Sequence, residues 1–182
     1  GDWSSTCALP ISIINGFAKI TGNNQVEVNG KVLSAKSILI AVGGKSYMPD
    51  IDGKELCINS DEALDLEMLP KSIVINGGGY IALEFAGIFS SFGSKVTLVY
   101  RGKNILRGFD SDISKFITEE LKNSKIKIIT EQEITSVSKV TNGLSTELSN
   151  GEIIISDQVM FATGRIPNTK NLGLEKIGIK LG

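Results

Sequence analysis

The sequence predicts an α/β fold, a parallel sheet in a Rossmann-like arrangement followed by an antiparallel β-meander. Three stretches carry that prediction. Ser72–Asn76 (SIVIN), a helical stretch running to Phe92, and Lys95–Tyr100 (KVTLVY) form a strand–helix–strand unit, the pattern of a parallel pair joined by a right-handed crossover. Gly77-Gly78-Gly79 falls between that first strand and the helix, where a phosphate-binding turn belongs. Residues 134–140, 144–148 and 152–155 read as short strands with Asn150-Gly151 turning the chain between the last two, the mark of an antiparallel meander.

Taken in order, residues 1–10 resemble nothing that follows, hold Trp3 and Cys7 without periodicity, and are set apart from the fold as an extraneous or flexible terminus. Residues 11–42 read as strands: an apolar run at 11–14, a hairpin of 25–28 and 31–33 about Asn29-Gly30, and a buried strand over 37–42 ending at Gly43-Gly44. The stretch 45–70 carries Pro49, Gly53 and Pro70 among polar residues, with a short helix expected over 61–66, and reads as a connection. Ile81, Ala82, Phe85, Ile88, Phe89 and Phe92 recur at helical spacing before Gly93 stops the helix. A second amphipathic helix is expected over 110–121, with Asp110 and Asp112 suiting its N-terminus and Ile113, Phe116, Ile117 and Leu121 on one face. Residues 125–130 give a third parallel strand, and 158–162 return to the sheet before Thr163-Gly164-Arg165. The expected partition is therefore 11–68, then a compact domain over 69–165, then a return segment over 166–182.

Composition narrows the chemistry. With 182 residues, 41% hydrophobic and 21% charged, the chain has material for one domain or for one domain plus part of another. A net charge of −1 gives no electrostatic reason to expect nucleic acid or an anionic membrane as partner. The apolar runs are of strand length, and no stretch has the order of a secretion signal, so a cytoplasmic protein is expected. There is no histidine, which removes the commonest general base and metal ligand. Cys7 and Cys57 stand far apart, in neither metal-ligand nor redox-pair spacing. No catalytic or metal-binding residue is expected in this chain. Its chemistry is expected to come from a cofactor or from groups outside it.

The cofactor follows from the glycine turn and from what comes after the next strand. Gly77-x-Gly79-x-x-Ala82 places a tight turn, a close backbone approach to pyrophosphate and a small residue for helix–strand packing at their required spacing. The helix start offers free N–H groups and a positive dipole end to phosphates. A site for the unphosphorylated cofactor would carry an acid about twenty residues on. No Asp or Glu occurs between Glu84 and Asp110; instead come Arg101, Lys103 and Arg107. Arginine there pairs a 2′-phosphate, so NADP is the expected dinucleotide.

The run GGGYIALEFAGIFSSFGSKVTLVYRGKNILRGFDSDIS, together with SILIAVGG at 37–44, Leu69-Pro70-Lys71 and VMFATGRIPNTKNLG at 159–173, resembles the flavin-dependent disulfide reductases that include glutathione reductases. The resemblance spans nearly all of residues 11–182. It implies that Tyr80 covers the nicotinamide pocket, with Ile81 beside it at the helix start. It further implies that Glu84 touches the carboxamide, that Arg101 and Arg107 hold the 2′-phosphate, and that Ala82 agrees with NADP where NAD-using relatives carry glycine. Gly164 and Arg165 match a loop near both dinucleotides, and Gly43 and Gly44 a turn on the FAD side. Val42 replaces the family's usual threonine, and Gly102 stands where some relatives carry histidine.

The same resemblance implies that residues 11–68 belong to a partial FAD-binding domain and 69–165 to the NADPH domain. The FAD fingerprint and redox cysteine pair are expected before residue 11, and the interface domain with its histidine after residue 182. The expectation is an NADPH-binding fragment, inactive alone, of a homodimeric enzyme that reduces glutathione disulfide through FAD. Trypanothione reductase, whose phosphate loop is much the same, another NAD(P)H-dependent flavin disulfide reductase, and a non-catalytic dinucleotide-binding module are the alternatives. An NAD-using dihydrolipoamide dehydrogenase is disfavoured by Ala82 and by the missing acid near Tyr100.

Overall fold

A computed structural model describes residues 11–181. The chain divides into two compact units. The larger runs from Gly44 to Ile166, and the smaller combines the described residues before Gly44 with those from Pro167 on.

The larger unit is the predicted α/β fold. Its elements are β4 (Gly44–Ser46), α1 (Ser60–Leu64), β5 (Ser72–Asn76), α2 (Tyr80–Ser91), β6 (Lys95–Tyr100), α3 (Ser111–Asn123), β7 (Lys127–Thr130), β8 (Ile134–Val140), β9 (Gly143–Leu148), β10 (Ile153–Ser156) and β11 (Gln158–Phe161). The strand β12 (Arg165–Pro167) runs to the boundary and pairs with β4. Four strands form a parallel sheet in the order β11-β5-β6-β7. Both faces of this sheet are covered, which is why β5 and β6 read as nearly unbroken apolar runs. On one side Ile73, Ile75, Leu98 and Met160 pack against Ala82, Ala86 and Phe89 of α2. On the other, Val74, Val99, Val159 and Phe161 meet Ile134, Val137, Leu144 and Leu148 of the β8-β9-β10 meander. Successive residues of each strand serve opposite layers, so a one-residue slip would exchange the two cores.

A polar clamp holds the strand starts together. The N–H and hydroxyl of Ser72 both donate to one carboxylate oxygen of Asp157, at 2.7 and 2.9 Å, across 85 residues of sequence. Helix α3 is capped by Asp110, whose side chain accepts from the N–H groups of Asp112 and Ile113. Its expected apolar face is only partly used: Ile117 and Leu121 pack on the core, whereas Ile113 and Phe116 are exposed. The helix docks instead through Ser114, buried, whose hydroxyl donates to the Ile105 carbonyl at 2.7 Å. Helix α1 starts one residue earlier than expected and ends at Leu64, because Asn59 and Glu62 form a reciprocal capping box.

The stretch 44–68, grouped by the sequence reading with the first segment, packs inside the larger unit. Ile58 bridges to Met160, Asp52 to Ser136, and Cys57 joins the meander-side core. Proline and glycine in that stretch shape turns but do not detach it from the fold.

In the smaller unit β1 (Ala18–Gly22), β2 (Gln25–Val28) and β3 (Lys31–Ser34) form an antiparallel sheet. Asn29 and Gly30, at φ 52° and 77°, make the expected two-residue hairpin turn. Ile20, Leu172 and Leu174 supply its core. The strands expected at 11–14 and 37–42 do not form: no strand pairs with either among the described residues, and Leu39 is 89% exposed. Composition favours extended backbone there, but a strand exists only where a neighbour takes its hydrogen bonds. The strand β1 has only a weak sequence signal, because its apolar alternation is short.

Candidate functional site

The loops at the carboxyl ends of the parallel strands enclose a cleft of about 540 Å³ within the larger unit. That is the edge at which open α/β sheets bind ligands, and the size is that of a small-molecule site.

The glycine turn forms its floor, and its three glycines stand in different surroundings. Gly77 has φ +150°, and a Cβ there would stand 2.4 Å from the Ala162 carbonyl oxygen and 3.1 Å from the Cβ of Ala82. Gly78 is pressed against the ring of Tyr100. Gly79 is open, with nothing within 4 Å of where its Cβ would lie. It caps α2 in extended conformation, and no side chain caps that helix start. The N–H groups of the first turn of α2 are therefore left without a side-chain acceptor, at the positive end of a 12-residue helix. Ala82 is fully buried behind the turn, where a larger side chain would push α2 off the sheet.

The arginine wall is tied to this floor by one backbone bond. Leu106 N–H donates to the Gly78 carbonyl at 2.6 Å. Ile105 and Leu106 are buried, anchoring the loop after β6 and holding Arg107 in the cleft that Arg101 also lines. Arg101 approaches Glu133 at 3.8 Å, while Arg107 makes no ion pair among the described residues. The third wall follows β11. Ala162 N–H donates to the Asn76 carbonyl at 2.8 Å, and the Thr163 hydroxyl to the Tyr47 carbonyl at 3.1 Å. Arg165 donates to the Gly44 carbonyl. Three arginines and one carboxylate line the cleft, a balance suited to an anionic ligand.

Of the residues named from sequence, Gly77, Gly79, Tyr80, Ile81, Arg101, Arg107, Gly164 and Arg165 all line this one cleft. Ala82 and Glu84 do not: Ala82 faces the sheet, and Glu84 lies further along α2 with an exposed side chain. Gly43 and Gly44 also lie outside it. Gly43, at φ 66°, accepts from Asn168 N–H in the smaller unit, and Gly44 opens β4. Sequence reasoning missed Tyr47, Thr163 and Glu133. The signal for Glu133 was its position just beyond β7, since neighbouring parallel strands open their terminal loops on the same edge.

Cys57 is buried, and its thiol lies 3.6 Å from the Gly53 carbonyl as donor. Burial, and secondarily the charge of Glu55, pushes that thiol up to about 12, which suits a small core side chain and not a nucleophile. No cluster of metal-ligating side chains occurs among the described residues, and no helix among them is long and apolar enough to cross a membrane.

A parallel sheet with a glycine turn at its carboxyl edge, an uncapped helix start and an arginine wall places the larger unit among the Rossmann-like α/β domains. The chain belongs to the pyridine nucleotide-disulphide oxidoreductase family, whose model matches residues 8–182. It is 47% identical over 172 residues to the chloroplastic/mitochondrial glutathione reductase of Pisum sativum, covering 94% of this chain and 31% of that one. It is 43% identical over 171 residues to the glutathione reductase of Burkholderia cepacia, covering 94% and 38%. Among solved structures it matches the HOCl-induced flavoprotein disulfide reductase RclA from Escherichia coli with a TM-score of 0.83 at 30% identity, over 94% of this chain and 40% of that chain. The chain thus spans about a third of the length of the curated relatives it matches.

Proposed function

We propose that the larger unit binds NADPH and serves as the electron-donor site of a flavin-dependent disulfide reductase acting on glutathione disulfide. One observation carries the reading: the Leu106–Gly78 bond gathers Arg101, Arg107 and the uncapped start of α2 around one cleft. The pyrophosphate fits against open Gly79, where backbone N–H groups replace its water. The two guanidinium groups offer the 2′-phosphate charge-assisted hydrogen bonds that an unphosphorylated ribose does not form.

Bound there, the dinucleotide supplies a hydride for reduction of FAD and, through it, of a disulfide. The residues of this chain bind and orient it. Tyr80, 56% exposed at the first position of α2, stands at the cleft rim as a cover for the nicotinamide end. The family membership, the glutathione reductase relatives and the open glycine turn support this assignment over a purely structural role.

Calorimetric titration with NADPH and NADH tests it. NADPH binds, its affinity falls steeply with added salt, and NADH binds far more weakly. Equal affinities would reject the phosphate assignment.

A further inference from the structure

Arg101 is not a bare cation awaiting a phosphate, because Glu133 faces it inside the same cleft, with Oε1 3.8 Å from Nη1. This is the only carboxylate among the residues lining that cleft. Its place is set by the scaffold. Glu131 N–H donates to the Gly102 carbonyl at 3.2 Å and Gln132 N–H to the Tyr100 carbonyl at 3.3 Å, stitching the loop after β7 to the loop after β6. The next residue is held from both sides by β9's end: Glu133 N–H donates to the Ser149 hydroxyl at 3.2 Å, and Ser149 N–H to the Glu133 carbonyl at 2.9 Å. The Glu133 backbone is therefore fixed beside Arg101, and only its side chain is free to turn away.

A carboxylate in that position has two consequences for an incoming phosphate. It holds the guanidinium in an existing interaction, and it adds a like charge close to where the phosphate settles. Both weaken the phosphorylated dinucleotide and leave the unphosphorylated one almost untouched. We propose that Glu133 is a specificity-determining residue, a built-in counter-ion of Arg101 that the 2′-phosphate displaces and that moderates the preference for NADPH. The inference rests on the phosphate-site reading given above.

The test is calorimetry on the intact protein with NADP⁺ and NAD⁺ as probes, comparing Glu133→Gln with the parent. Glutamine keeps the size and, at an exposed position, the fold. NADP⁺ binds about two- to fivefold more tightly in the variant, the range of an exposed ion pair, and NAD⁺ is unchanged. The gain fades in high salt, where exposed charges are screened. It is smaller in an Arg101→Ala background, because part of it is the release of that arginine. If the parent prefers NADP⁺ but Glu133→Gln leaves its affinity unchanged or lowered, the counter-ion role is overturned while the phosphate site stands. An equal gain with and without Arg101 also overturns it, as does a selective loss of NAD⁺, which would make Glu133 a ribose ligand. A parent that binds both probes equally would bring down the phosphate site itself, and this proposal with it.

Discussion

The ring of Tyr100 occupies the space that a side chain at Gly78 would need: a Cβ there would lie 2.5 Å from two ring carbons. The same ring crowds Gly102, where a Cβ would lie 2.6 Å from it. The last residue of β6 thus sits between two glycines, one in the glycine turn and one in the arginine loop, and couples their positions.

Gly78 does not have a positive φ, so alanine there suffers the clash with the ring without backbone strain. Gly78→Ala is expected to destabilise the protein by about 1–3 kcal/mol through overpacking. Combined with Tyr100→Ala, the two losses should fall well short of additive, because the second change removes the obstacle to the first. Chemical denaturation of the two single variants and the double variant checks this. Strict additivity would mean that the ring does not set the turn.

Gly79 behaves oppositely. Its Cβ position is empty space opening on the cleft, so Gly79→Ala should change stability little. In the proposed binding mode the methyl group stands where the pyrophosphate approaches the backbone, and affinity for NADPH and NADH should fall together, by about tenfold or more. A variant that bound both normally would place the pyrophosphate elsewhere.

The contrast between these glycines shows what was legible in the sequence. GGG after SIVIN marked the turn, and periodicity marked α2, because both are local patterns with few alternative meanings. Which glycine is sterically locked and which opens on the cleft depends on Tyr100 and Ala162, brought in by the neighbouring strands, and no local pattern records that. Glu133 escaped for the same reason, since its link to Arg101 is made by strand order and not by spacing. The expected strand at 37–42 failed in the other direction: its residues favour extension, but pairing is a property of neighbours. Ile113 and Phe116 show the limit of the helical stripe, which marks a face without fixing how much of it is covered.

The clamp between Ser72 and Asp157 joins the starts of β5 and β11 through two hydrogen bonds to one carboxylate oxygen. Asp157→Ala leaves the Ser72 N–H without its acceptor and should cost about 1–2 kcal/mol. The denaturation midpoint should fall with an unchanged slope, because the fold and the surface exposed on unfolding stay the same. A midpoint within error of the parent would mean that water replaces the carboxylate at no cost.

Cys57 predicts a pH signature. Burial raises its thiol from about 9 to about 12. A raised folded-state value means that the stabilisation linked to the neutral thiol is complete below pH 9. It drains away as pH climbs from 9 through 12, because the unfolded chain releases this proton first. Relative to Cys57→Ala, the parent should therefore lose stability across that window. In a Cys7→Ser background, labelling by a thiol reagent at pH 8 should be slow until denaturant opens the core. Rapid native-state labelling would contradict the buried placement.

The two cleft arginines differ in what they must give up to bind. Arg107 makes no ion pair among the described residues, whereas Arg101 must leave Glu133. Arg101→Ala should cost NADPH about 1.5–3 kcal/mol, the worth of a charge-assisted hydrogen bond, with NADH nearly unchanged. Arg107→Ala should cost at least as much, since no competing carboxylate discounts its contribution. The two losses are not expected to add, because both side chains would act on one phosphate. Calorimetric titration of both variants with both cofactors decides the matter. If either substitution weakened NADH as much as NADPH, that arginine would be acting on the shared pyrophosphate or on the fold. The choice of the phosphorylated cofactor would then have to lie with other residues of the cleft.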